Sequence, residues 1–341
     1  MRRITAAAAC IAACTSLLTK NADAQTNELT VSVWGGGYGE IWKKNSLEGF
    51  TKQTGIKVTA DLGPSSQRLS KLLATQGSGV DLFFITDHQM AVLKLRGLLQ
   101  KVDPKNVPNM SNLYDFARDP LGDGMCPAIT LLGVGLAYNK QHFPQPPTSW
   151  KDLTRRDLPG KPAMMDIGFS VAPSVMIHLA ELHGGGISDI SPAFKLLVAH
   201  KDHMRYFKLF EVLDWINRGE VSVAPMLNTF VKKDPKTPLE FTFAKDGLLG
   251  VVNMACIPKG AKNKAGAEKF LNYYLSAEIQ TKMAATFGET PVVKNVTPPK
   301  DIPYELVPIS ALGSMKFYDP VAIARQRDKW MERFQEEIVA R

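Results

Sequence analysis

Leu29–Glu40 reads LTVSVWGGGYGE, and the rest of the chain is organised around it. Leu29, Val31 and Val33 alternate on one face, the pattern of a half-buried strand. The run breaks into Gly35-Gly36-Gly37 and enters a helix through Tyr38, Gly39 and Glu40. A strand that ends in a glycine turn before a helix presents backbone N–H groups at the carboxyl edge of a sheet. Open α/β sheets bind their ligands at that edge. Trp34 and Tyr38 flank the turn and are positioned to serve as aromatic walls. An ordinary first βα unit, with glycines for chain geometry and a core tryptophan, is the plainer reading of these residues taken alone.

Downstream, Ile41–Thr54 reads as a helix with Ile41, Trp42, Leu47 and Phe50 in its apolar stripe. Ile56–Ala60 is a short strand, and Ser65 or Ser66 caps a helix over Gln67–Gln76. Val80–Ile85 (VDLFFI) is nearly continuous in apolar residues, the mark of a buried parallel strand. Thr86, Asp87 and His88 stand at its carboxyl end, before a helix over Gln89–Arg96. This alternation of β and α argues for a parallel sheet. Met125–Tyr138 is a long extended apolar stretch, and Ser149–Leu153 is a short capped helix. Lys161–Met165 and Val221–Ala224 read as strands, the first followed by Asp166–Ser170 and the second by Met226–Thr229. Helices are expected over Ala172–His183, Pro192–His200, Lys208–Arg218, Ala265–Leu275, Ala277–Thr286 and Pro320–Val339. Leu239–Phe243 and Leu248–Ile257 are further strands. Two βα sets joined by extended crossings near Met125–Thr130 and Val252–Ile257 imply two lobes, a hinge and a cleft that closes on a ligand.

The 341 residues are 45% hydrophobic and 22% charged, enough for a large core and two domains. The net charge of +8 is scattered, with only short clusters at Lys232-Lys233 and Lys259–Lys264. No basic stripe with interleaved aromatics appears, so a nucleic-acid partner is not expected. Arg2-Arg3, the alanine-rich Ile4–Leu18 and Ala22-Asp23-Ala24 form a secretory signal over residues 1–24, cut after Ala24 to leave Gln25. The apolar run is short for a membrane span. A second reading takes Ile11-Ala12-Ala13-Cys14 as a lipoprotein box, with a lipid on Cys14. The exported chain keeps Cys126 and Cys256, a candidate disulfide in an oxidising compartment. His178 and His183 are five residues apart, and His200 and His203 lie among lysines. Neither pair has metal-ligand spacing, and no metal or cofactor is expected.

Taken together, these stretches resemble the solute-binding proteins of ABC importers, in the spermidine/putrescine-binding branch of extracellular solute-binding family 1. Trp34–Tyr38 is similar to that family's WGG-x-Y turn, and Asp81–Asp103 to its strand, ligand loop and helix. Leu136–Lys140 resembles its GLxYNK strand, and Gly219–Ala224 its GEVxxA element. Ile257–Asn263 (IPKGAKN) is similar to its return crossing, and Ala265–Gln280 to the helices that follow. The resemblance implies an α/β, two-lobed periplasmic-binding-protein fold of type II. Each lobe is then a mainly parallel sheet flanked by helices, with two extended hinge crossings. One lobe is expected over 25–128 plus 254–297, the other over 129–253 plus 298–341. The matched motifs carry over a ligand set of Trp34, Gly36 and Tyr38; Thr86, Asp87 and His88; Asp166, Phe169 and Ser170; and Asn228 and Asn253. If the crossings run antiparallel, as the family implies, Cys126 and Cys256 lie side by side. A disulfide would then staple the hinge at its first-lobe end; free thiols buried in the crossing strands are the alternative.

Capping a helix is an equal reading for Asp87 and Asp166. His88 also reads as an ordinary loop histidine. Tyr273-Tyr274 reads as packing rather than ferric coordination, and Met226–Phe230 (MLNTF) lacks the tyrosine pair of iron-binding relatives. Where polyamine binders place an aromatic and a carboxylate on the return crossing, this chain has Val251 and Asn253. Asp87 and Asp166 remain to pair with an amine. Alternatively, Ser170–Ser174 enters a helix whose N–H groups face an anion. The expected function is that of a periplasmic, monomeric component that closes on a small polar or charged organic solute and delivers it to a membrane permease. The alternative is an exported enzyme or a receptor-linked sensor on the same fold. No GxSxG, HExxH or comparable motif supports the enzyme.

Overall fold

The computed structural model describes residues 27–340. The expected signal segment 1–24, its cut after Ala24 and Cys14 lie outside these residues. The chain opens with β1 (Glu28–Trp34), α1 (Gly36–Thr54), β2 (Lys57–Gly63), α2 (Ser65–Ala74), β3 (Leu82–Thr86), α3 (Asp87–Leu95), the short β4 (Leu99–Gln100) and α4 (Asp115–Arg118). β1 lies between β2 and β3, parallel to both, as the alternation of β and α requires. α1 begins at Gly36, directly on the turn, five residues before the apolar stripe starts at Ile41. Glycine supplies the positive φ of 65° there without the penalty a Cβ brings.

β5 (Ala128–Asn139) then leaves the first lobe. The second lobe is built from β6 (Lys161–Met165), α5 (Ala172–Leu182), α6 (Ser191–Ala199), β7 (Arg205–Phe207), α7 (Glu211–Asn217), β8 (Val221–Leu227) and β9 (Leu239–Thr242). β6 is parallel to both β7 and β8. β10 (Leu249–Pro258) returns antiparallel to β5 and β3, followed by α8 (Lys264–Tyr274), α9 (Ala277–Phe287) and α10 (Pro320–Phe334). The strands form one path, β2-β1-β3-β10-β5-β8-β6-β7, with β4 beside β10 and β9 beside β5. The hinge strands β5 and β10 therefore join two parallel sheets into one.

Two cores lie on either side of that hinge. Trp42, Phe50, Phe83, Phe84, Phe270 and Tyr274 fill the first; Trp150, Phe194, Phe207, Ile216 and Phe334 fill the second. Fully burying an aliphatic or phenyl side chain contributes about 1.5–3 kcal/mol, so each lobe has a core of its own. Along β5, Leu131 belongs to the first core and Leu132 to the second; along β10, Val251 belongs to the second and Val252 to the first. Gly133 and Gly250 face each other in this register. A Cβ on either would meet the rings of Phe243 or Phe317 at 2.5 and 2.4 Å, so the two hinge strands can be packed on only because they are bare here.

The chain crosses between the lobes a third time. Val307 and Met315 pack in the first core, and α10 then straddles the lobes: Val321 and Ala324 rest against the first core, while Ile323, Trp330 and Phe334 lie in the second. Lys316 forms a bridge beside Leu249, and the Gly250 N–H donates to the Lys316 carbonyl at 2.8 Å. Glu181 on α5 accepts from Lys316 Nζ at 2.6 Å and from the Tyr318 hydroxyl at 2.9 Å, fastening the crossing to the second lobe. Residues 294–319 lack a periodic apolar pattern, so this passage is not legible in the sequence, whereas the two extended crossings, β5 and β10, are. Cys126 and Cys256 form a disulfide with Cα atoms 5.2 Å apart, joining the segment before β5 to β10 within the first core.

Candidate functional site

Strand register places the two sheet edges opposite each other. Thr86, the last residue of β3, pairs with Asn253 on β10, and Asn253 pairs with Thr130 on β5. At the far side, Leu227 ends β8 opposite Val134, and the Asn228 side chain meets Gly133 of β5. From Thr130 to Gly133 is three residues, about 10 Å of strand at 3.3 Å per residue. The carboxyl edge of one parallel sheet thus faces the carboxyl edge of the other across a short floor of β5 and β10. A cleft at such an edge is where an α/β sheet takes a ligand.

The first-lobe edge is held by hydrogen bonds. Trp34 is half-buried, and its Nε1 donates to Ser65 Oγ at 2.9 Å. One side of its ring is covered by the Arg68 guanidinium, 5.5 Å from the ring centre and 5.0 Å from Phe83. Arg68 also donates to the Gly63 and Phe84 carbonyls at 3.0 and 2.8 Å, tying together the ends of β2 and β3. Burial lowers this guanidinium to about 10, still charged at neutral pH. Gly36 is exposed at the turn. Tyr38 stands edge-on to Trp34 at 5.6 Å, but its hydroxyl points inward and donates to Glu289 Oε1 at 3.0 Å. Burial pushes that carboxyl up to about 7, against the opposing effect of the tyrosine hydrogen bond. Glu289 Oε2 is buried without a partner.

At the end of β3, Thr86 Oγ1 donates to Gln89 Oε1 at 2.7 Å. Asp87 opens α3, and its Oδ1 accepts the His88 N–H at 2.6 Å. Among the described residues no protein group meets its Oδ2. His88 is 2% exposed, so it is a buried histidine and not an exposed loop residue. On the floor, Asn253 Nδ2 donates to Thr130 Oγ1 at 3.1 Å, and its Oδ1 is buried with no partner. A buried acceptor left unpaired costs about 1–3 kcal/mol, so that atom faces an unmet demand for a donor.

The second-lobe edge is different in kind. Asp166 follows β6, and its Oδ1 accepts the Gly168 N–H at 2.8 Å. Phe169 is mostly buried and turns toward Phe207 and Phe210, with ring centres at 6.2 and 6.3 Å. Ser170 is half-buried just before α5. Asn228 is fully buried, and every polar atom of its side chain is committed: Oδ1 accepts from Gly133 N at 2.9 Å, and Nδ2 donates to the Gly288 and Glu305 carbonyls at 3.1 and 2.7 Å. It is a hinge fastener in this structure and offers no free atom to a solute. Phe210 and Phe230, which sequence reasoning did not single out, form the exposed part of this edge. The sequence pattern places Phe210 in a helix over Lys208–Arg218; α7 begins only at Glu211, so Phe210 sits in the loop after β7.

Tyr273 and Tyr274 pack in the first core, away from both edges. A cavity of about 450 Å³ lies elsewhere, between Tyr138, Val231 and Thr242. Its carboxylates are already engaged, Glu240 by the Tyr138 hydroxyl at 2.9 Å, Glu305 by Lys233 at 2.6 Å and Asp234 by the Lys236 N–H at 2.9 Å.

Residues 76–308 match the family model of the bacterial extracellular solute-binding proteins. The chain belongs to that family. This solute-binding protein is 29% identical over 256 residues to the spermidine/putrescine-binding periplasmic protein of Escherichia coli, covering 71% of this chain and 72% of that one. It is 27% identical over 269 residues to the spermidine/putrescine-binding periplasmic protein 1 of Haemophilus influenzae, covering 76% and 74%. A crystal structure of an ABC transporter from Clostridium perfringens superposes with a TM-score of 0.79 at 26% identity, over 91% of this chain and 99% of that chain. A putative extracellular solute-binding protein from Bordetella parapertussis gives 0.78 at 21% identity, over 92% and 99%, and bears on the fold alone. The solute-binding class and the polyamine-binding branch read from the sequence both stand. This solute-binding protein is a transport component, in a family of binding proteins rather than enzymes. Among the described residues no helix is long and apolar enough to cross a membrane.

Proposed function

We propose that this solute-binding protein works in the periplasm, as a monomer beginning at Gln25, and hands a small polar or charged organic solute to the permease of an ABC importer. The lobes, 25–128 with 254–297 and 129–253 with much of the remainder, close about β5 and β10. Trp34, Asp87 and Asn253 meet the solute from the first lobe and the floor; Asp166, Phe169 and Ser170 meet it from the second. Tyr38, Thr86 and His88 hold the shape of the edge, and Gly36 lets α1 start at it. The observation that supports this most is the register: two carboxyl edges facing each other across three residues of β5, above a buried Asn253 oxygen with no partner. The spermidine/putrescine-binding relatives make an organic amine the first ligand class to examine. Closure gives the permease a shape to read, because the solute binds the closed form better than the open one.

A thermal-shift screen of amines, amino acids, carboxylates and phosphonates on the mature protein tests this reading. At least one class is expected to raise the unfolding midpoint, and Trp34→Ala to weaken that ligand. No shift with any class, or a ligand indifferent to Trp34→Ala, would remove the assigned cleft.

A further inference from the structure

The loops that follow β6, β7 and β8 each deliver one phenylalanine to the second-lobe edge: Phe169, Phe210 and Phe230. Phe210 and Phe230 are 45% and 39% exposed, with ring centres 4.6 Å apart, and the neighbouring Leu209 is 62% exposed. Phe210 is set edge-on against the mostly buried Phe169, which anchors the pair to the second core. Single exposed apolar residues need no explanation, but an aromatic pair built out from the core at a ligand-facing edge does.

The polar groups of the cleft carry a second message. Asp87 and Asp166 each have one carboxylate oxygen bound by a neighbouring backbone N–H and the other without a protein partner. Asn253 Oδ1 is a third unmet acceptor, on a residue 95% buried by its 5% exposure. The donor-bearing side chains at the edges are Arg68, which donates to the Gly63 and Phe84 carbonyls but keeps a buried Nη2 without a partner, the His88 ring 3.4 Å from Asp87 Oδ1, and the exposed Lys208 and Lys232. The two edges thus hold three unmet acceptors against one unmet buried donor, Arg68 Nη2 beneath Trp34. An ammonium has three donors and no acceptor, which complements that set.

Resting on the proposed solute capture, we infer that the ligand is an organic monoamine with an apolar body: its ammonium lies among Asp87, Asp166 and Asn253, and its body covers Phe210 and Phe230. An unbranched polycation is disfavoured by the same geometry. Its second ammonium would be desolvated against two phenylalanine rings, where the adjacent carboxylate, Glu211, already accepts from the Lys208 and Leu209 N–H groups at 2.7 and 3.0 Å, and a buried unpaired charge is costly. Phe210 and Phe230 are then specificity-determining residues, and they act by rewarding carbon where a polyamine carries nitrogen.

Isothermal titration of the full mature protein, unfolded and refolded to strip bound solute, tests the inference with three probes: 2-phenylethylamine, putrescine and 3-phenylpropionate. We expect 2-phenylethylamine to bind at least about tenfold more tightly than either of the others. Phe210→Ala and Phe230→Ala should each weaken it by about tenfold, one decade being 1.4 kcal/mol, and change putrescine binding by less than about threefold. Asp87→Asn should weaken both amines. Both rings are about two-fifths exposed, so their truncation spares the core; an unchanged unfolding midpoint and rescue by Phe230→Leu verify this. Tighter binding of putrescine or of 3-phenylpropionate overturns the inference, as does phenylalanine-independent binding or no binding of any probe. Tight putrescine binding would leave the proposed capture function intact, whereas a screen with no ligand of any class would remove that function as well.

Discussion

The two edges that face each other across the hinge are built on opposite principles. At the first-lobe edge each group at the turn is tied to another: Trp34 to Ser65, Tyr38 to Glu289, Thr86 to Gln89. At the second-lobe edge the prominent groups are phenylalanines in edge-on and tilted contact that make no directional bond. Hydrogen-bonded side chains fix positions to a fraction of an ångström, while ring surfaces hold whatever covers them by area. Under the proposed capture, one lobe sets the orientation of a solute and the other its bulk. The asymmetry extends to the scaffold, because the disulfide lies wholly in the first core and the second has none.

The strongest way to break this comparison is to remove the staple. Cys126 and Cys256 are separated by 130 residues, and opening a loop of that size costs about 4–5 kcal/mol in the chain-entropy account. The Cys126→Ser, Cys256→Ser double variant is expected to split the calorimetric transition, with the first lobe melting earlier. A single unshifted transition would show that the first lobe does not depend on its staple. Next comes the fastening of the second lobe to the hinge. Asn228→Ala leaves the Gly133 N–H and the Gly288 and Glu305 carbonyls unpaired, a loss of about 2–4 kcal/mol in urea unfolding. A loss under about 1 kcal/mol would mean that Asn228 is not a fastener.

A third effect belongs to the first lobe alone and depends on pH. Glu289 rises from an ordinary 4.5 to about 7 in the folded state. The folded protein then holds a proton that the unfolded chain has released, so stability falls as pH rises between these values. The contribution is fully present below about 4.5 and lost through about 7, with a span of about 3 kcal/mol. Glu289→Gln should flatten this slope in denaturation midpoints measured from pH 4.5 to 8; an unaltered slope would assign it to another group. The smallest effect is at the turn itself. Ser65→Ala removes the acceptor of Trp34 Nε1 and is expected to cost about 1 kcal/mol, with loss of near-ultraviolet dichroism from a freed indole. An unaltered spectrum would show that Ser65 does not orient the ring.

The sequence exposed the first edge far better than the second, for a physical reason. β1 and β3 are long enough to show alternation or a continuous apolar run, and each is followed by a helix that can be read, although α1 and α3 start before their readable stretches. β7 has three residues, too few for either pattern, so Phe210 beyond its end looked like the start of a helix. Asn228 could be placed after β8, but its role rests on Gly133, Gly288 and Glu305, partners 60 to 95 residues away that no local pattern announces. Tyr38 was placed at the turn correctly, while its inward hydroxyl depends on Glu289, 251 residues along the chain. The third crossing was hidden because its anchors, Val307 and Met315, are isolated in a stretch without periodicity.

The central claim is that the two edges close on a solute about β5 and β10. Spin labels at Gln67 in α2 and Asp214 in α7, both exposed and on opposite lobes, report this directly through their distance distribution. With saturating amounts of whichever of 2-phenylethylamine, putrescine and spermidine binds most tightly, the account predicts a shorter and narrower distribution than in the stripped protein. Saturation with an unchanged distribution would contradict it.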